Sequence, residues 1–77
     1  RAVIQPAVEL EAGVIVNTGA IVEHDSTVES GAHIGPGAII LGGCRVGKCA
    51  MIGASATVLP GTAIPSGGLV KAGARHP

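Results

Sequence analysis

From Ile4 onward every sixth residue is aliphatic: Ile4, Leu10, Val16, Val22, Val28, Ile34, Ile40, Val46, Ile52, Val58, Ile64 and Val70. With 21 Ile, Leu and Val among 77 residues, twelve consecutive hits in the best of six registers arise by chance about once in a million. Two residues before each of them stands a small or slim residue: Ala2, Val8, Val14, Ala20, Ser26, Ala32, Ala38, Cys44, Ala50, Ala56, Thr62 and Gly68. A period of six fits neither the 3.6 of an α-helix nor the seven of a coiled coil, and 13 Gly with 5 Pro would break helical segments. It does fit strands, where residues two apart share a face, so each small/aliphatic pair points inward and the next two residues turn a corner. Thr18-Gly19, Ser30-Gly31, Pro36-Gly37, Gly42-Gly43, Pro60-Gly61 and Ser66-Gly67 supply the turn chemistry. Three such sides make one coil of a triangular prism, so twelve repeats predict about four coils, about 4.8 Å apart. Residues 18 apart then stack.

Composition removes several functions. Five basic against five acidic residues leave no field for nucleic acid, and the absence of Phe, Trp and Tyr removes base-stacking platforms. The longest strictly aliphatic run, Ala38 to Leu41, is far short of the roughly 20 residues of a membrane span. Cys44 and Cys49 form neither a disulfide framework nor a metal-binding CxxC. They point to a reducing compartment, the cytoplasm. The chain has no initiator Met and opens inside the repeat, so it reads as a piece of a longer protein.

The three faces differ in what they present outward. Around Leu10, Val28, Val46 and Ile64 lie Glu9, Glu11, Thr27, Glu29 and Arg45, a face for water. The face around Val22 carries Val3, Ile21, Ile39, Leu41 and Leu59, and the face around Ile34 carries Ile15, Met51 and Leu69. Two apolar faces on a chain this small call for a partner. Packing one kind on the other is a heterologous contact that must close into a ring, and a triangular prism closes naturally at three. A homotrimer is the expectation.

The repeat resembles the left-handed parallel β-helix of hexapeptide-repeat proteins from about Ala2 to Ala74, and the left hand comes from that resemblance. Asn17 to Asp25 (Asn-Thr-Gly-Ala-Ile-Val-Glu-His-Asp), with Ala32-His33-Ile34 and Gly42-Gly43 following, is similar to the sialic-acid O-acetyltransferases and the related UDP-4-amino-sugar N-acetyltransferases. The resemblance implies direct acetyl transfer from acetyl-CoA to an amine or hydroxyl of a nucleotide-linked or free sugar, in a cleft between subunits of a homotrimer. By position it makes His24 the general base and Asp25 its acidic neighbour, with His33, Gly42, Ala54 and Ala72 contacting acetyl-CoA. It implies no metal, and it implies an N-terminal nucleotide-sugar-binding domain that residues 1–77 do not contain.

The residues themselves agree with this chemistry. His24 occupies a first corner position, pointing away from the core, with Gly42 above it and Pro6 below. An imidazole there can take a proton from an attacking nucleophile while a carboxylate orients it, and His33 or a backbone N–H near Gly42 could donate to the oxyanion. Cys44 reads as packing, and Cys49 and Lys48 as corner residues. Lys71 and Arg75 read as solvated, and His76 as lying outside the pattern. A zinc enzyme of the γ-carbonic anhydrase kind is the nearest enzymatic alternative, but it wants two His five residues apart, and the spacings here are 9 and 43. An ice-binding or structural β-helix would need a Thr ladder that Thr18, Thr27, Thr57 and Thr62 do not make. A trimerisation scaffold without chemistry is the remaining alternative.

Overall fold

The computed structural model describes every residue from Arg1 to Pro77. The chain forms thirteen strands of two residues, numbered β1 to β13 along it, and no helix. β1 (Val3–Ile4), β4 (Ile21–Val22), β7 (Ile39–Ile40), β10 (Thr57–Val58) and β13 (Arg75–His76) stack as the first face. The second face holds β2 (Glu9–Leu10), β5 (Thr27–Val28), β8 (Arg45–Val46) and β11 (Ala63–Ile64); the third holds β3 (Ile15–Val16), β6 (His33–Ile34), β9 (Met51–Ile52) and β12 (Leu69–Val70). All pairings are parallel, and each residue faces the one 18 ahead, as in Val22↔Ile40 and Val28↔Val46. This is a left-handed parallel β-helix of about four coils.

Inward columns form the core. Val22, Val28, Ile34, Ile40, Val46 and Val58 are fully buried, and the small column contributes Ala20, Ala32, Ala38, Ala50 and Ala56, also fully buried. At about 25 cal/mol per Å2, the buried β-branched ladder is the main driving force of folding. Ile4 and Leu10 belong to the same columns but are each 43% exposed, because the first coil has a neighbour on one side only.

Corners follow a fixed rule. The second corner residue is left-handed: Gly13, Gly19, Gly31, Gly37, Gly43, Gly61, Gly67 and Gly73 have φ near 70°, and Ala7, Asp25, Cys49 and Ser55 take the same conformation without being glycine. Its N–H donates to the first corner residue of the coil before, as Gly43 does to the His24 carbonyl at 3.0 Å. The first corner residue has no backbone acceptor for its own N–H, so proline is tolerated there at positions 6, 36 and 60.

One expectation is corrected. His76 does not fall outside the pattern: it continues the Ile4, Val22, Ile40, Val58 column, pairing with Val58 in β13 while its carbonyl accepts from Leu59 N–H at 2.8 Å. The period belongs to the backbone, and a half-buried imidazole at the end of the stack satisfies it as an aliphatic does.

Candidate functional site

His24 and Asp25 are the two corner residues between β4 and β5, where the first face meets the second. The left-handed backbone of Asp25 (φ 63°) turns its side chain back, and Oδ2 lies 3.0 Å from His24 Nδ1. Aspartate is among the few non-glycine residues that visit this conformation readily. Both side chains are about two-thirds exposed. A carboxylate can only accept, so a neutral imidazole in this contact carries its proton on Nδ1 and leaves the Nε2 lone pair free. Nε2 has no partner within the chain.

One coil up lies Gly42. An atom placed where its Cβ would be meets His24 Cε1 at 2.9 Å and Nε2 at 3.0 Å. The ring therefore rests over the Gly42 α-carbon, and the Gly42 N–H is without a partner in the chain. Sequence reasoning placed Gly42 above His24 but did not foresee that a side chain there would have to displace the ring.

The other expected residues lie elsewhere. His33 is the first residue of β6, on the third face, across the prism from the His24 corner. Its outward neighbours in the ladder are Ile15 and Met51, with Leu69 next to Met51. Ala54 and Ala72 are first corner residues, stacked 18 apart where the third face meets the first, and the N–H of each lacks a partner. Beside them the chain is bare: a Cβ at Gly35 would meet Ala54 N at 2.9 Å, and one at Gly53 would meet Ala72 N at 2.4 Å. A single chain thus brings His24, Asp25 and Gly42 together, and places His33 on the third face, whose far edge carries Ala54 and Ala72. It holds no pocket of its own. No three His, Cys, Asp or Glu side chains lie close enough to share a metal ion, and no helix is long and apolar enough to cross a membrane.

A three-sided coil of hexapeptides with an exposed His–Asp pair at one corner defines a class, the hexapeptide-repeat β-helices. Residues 25–60 match the family model described as bacterial transferase hexapeptide (six repeats). No curated protein matches the chain. Among solved structures it is similar to GDP-perosamine N-acetyltransferase from Caulobacter crescentus in complex with CoA and GDP-perosamine, at 36% identity and a TM-score of 0.78. Two variants of that enzyme, each with one histidine replaced and each with the same two ligands, match as well: the asparagine variant at 34% identity and TM-score 0.78, the alanine variant at 36% and 0.81. Each match covers 94% of this chain, which spans 43 to 44% of the length of those enzymes.

Proposed function

We propose that the protein carrying this chain is an acetyl-CoA-dependent acetyltransferase acting on the amine of a nucleotide-linked amino sugar, with His24 as general base. The observation that carries this reading is the His24 imidazole, held through Nδ1 by Asp25 with Nε2 unpartnered at an exposed corner. The solved relatives support the reaction class, since they are N-acetyltransferases with CoA and GDP-perosamine bound. They favour nitrogen over oxygen as the accepting atom.

In the proposed reaction the sugar amine attacks the thioester carbonyl carbon of acetyl-CoA, forming the C–N bond. His24 Nε2 takes the proton that the amine sheds, and Asp25 stabilises the resulting imidazolium. As the tetrahedral intermediate collapses, the C–S bond breaks and the thiolate leaves, taking up a proton to become CoA. An unpartnered N–H such as that of Gly42 suits the developing oxyanion. The chain also fits the long arm of the co-substrate: the free N–H groups of Ala54 and Ala72, on an edge bared by Gly35 and Gly53, suit the amide carbonyls of an extended pantetheine.

These two halves lie on different parts of one chain, so the reading includes a homotrimer. Ile15, Met51 and Leu69 are 53%, 48% and 68% exposed on the third face. Covering them with the first face of the next copy would bring His33 of one copy toward His24 of another. Such an enzyme works in the cytoplasm, where acetyl-CoA is available and the free Cys44 and exposed Cys49 stay reduced. Thiol release from acetyl-CoA, followed across a panel of nucleotide-linked amino sugars and sialic acid, tests the reading. Release with an amino sugar is expected, and release with none of the panel would overturn it.

A further inference from the structure

We propose that Gly42 is a positioning residue, the seat on which the His24 imidazole rests, and that Ser26 holds that seat in shape. The inference deepens the general-base reading and rests on it for its catalytic consequence. Eight glycines of the chain are explained by left-handed corners, but Gly42 is not among them; its backbone would accept any residue. What a side chain there would meet is the imidazole, whose Cε1 and Nε2 stand 2.9 and 3.0 Å from the Cβ position, so the exposed ring would have to shift. Gly43, next to it, is the opposite case, with φ 68° and nothing within 4 Å of its Cβ position.

The turn bearing Gly42 is also built differently. Nine corners close with an N–H donating three residues back, such as Ala38 to the Gly35 carbonyl at 3.1 Å. Three corners, stacked on one edge, do not: Gln5 to Val8, Glu23 to Ser26 and Leu41 to Cys44, and only the last is bridged by a side chain. The Ser26 hydroxyl is inserted instead, donating to the Leu41 carbonyl at 2.9 Å and accepting from the Cys44 N–H at 3.1 Å. Ser26 is fully buried, directly follows Asp25 in the chain, and leaves no polar side-chain atom unsatisfied. One residue thus ties the layer holding His24 and Asp25 to both ends of the Gly42–Gly43 turn. The hydroxyl bridges that turn, the Gly42 α-carbon faces the ring, and the ring keeps Nδ1 on Asp25 and Nε2 open.

The test uses Gly42→Ala, which retains the backbone N–H, beside Gly43→Ala, Ser26→Ala and His24→Ala, in the protein that carries this chain. Nitrogen-15 NMR of the imidazoles, assigned with His24→Ala, reads the ring directly and needs no activity. Wild type and Gly43→Ala should show His24 with a hydrogen-bonded Nδ1 proton. Gly42→Ala and Ser26→Ala should lose that signature. For acetyl transfer, Gly42→Ala should lower kcat by roughly tenfold to a hundredfold, the scale of a misplacement of about 1 Å, with KM for acetyl-CoA within about twofold. Gly43→Ala should lower the unfolding midpoint, because a side chain strains its left-handed corner. An undisturbed ring in Gly42→Ala would overturn the seat and leave the general base standing. A displaced ring with unchanged kcat would overturn both, and a raised KM with the ring in place would mean that the methyl group crowds substrate instead.

Discussion

His24 is unusual for having its surroundings specified on three sides: Asp25 at Nδ1, the Gly42 α-carbon under the ring edge, and Ser26 behind the turn. Removing the imidazole should therefore cost chemistry and little else. His24→Ala is expected to lose about a hundredfold to ten-thousandfold in kcat, the usual worth of a positioned base, with an unfolding midpoint near that of wild type. Asp25→Asn can keep the left-handed backbone and still accept the Nδ1 proton, but it loses the charge that favours the imidazolium; kcat should fall about tenfold or more, as measured by steady-state kinetics. Of these contacts the sequence disclosed the His–Asp adjacency and the stacking on position 42, because both follow from a period of six and a stack of 18. It did not disclose the role of Ser26. A serine at an inward slim position looks like any other small residue until its two hydrogen bonds to the next turn are seen.

Each hexapeptide places one inward pair and one corner, and the element scale is where sequence and structure agree most closely. Register is forced, since a slip of one residue would turn the whole aliphatic column outward. His76 was misread for an instructive reason: the search followed side-chain type, whereas the coil continues as long as its backbone can pair, as Leu59 N–H does with the His76 carbonyl. The glycines just before corners were visible but unexplained. A Cβ on Gly53 would lie 2.4 Å from Ala72 N and 2.7 Å from its α-carbon, and backbone cannot give way as a side chain can. Gly53→Ala is expected to cost about 2 kcal/mol or more in urea denaturation by prising two coils apart. The Glu29–Arg45 pair on the second face is a mild contrast: Arg45 is largely exposed, so Arg45→Ala should change stability by less than about 1 kcal/mol.

The chain is a short prism with one polar and two apolar faces, and on the proposed reading a neighbouring copy completes its site. On the proposed assembly, Leu69→Glu should convert a trimer to monomers in light scattering while each chain keeps its β-helix, because that side chain is 68% exposed and its loss leaves no cavity in the core. The faces were legible from the outward residues, and the six-residue register also separates His33 from the His24 corner. The central claim is that the His24 corner removes the proton during acetyl transfer. Its most direct test is the rate of thiol release from acetyl-CoA with a GDP-linked amino sugar, by the protein carrying this chain and by its His24→Ala variant. The account predicts turnover by the first and a loss of at least about a hundredfold in the second, with the fold intact. Equal rates from the two would contradict it.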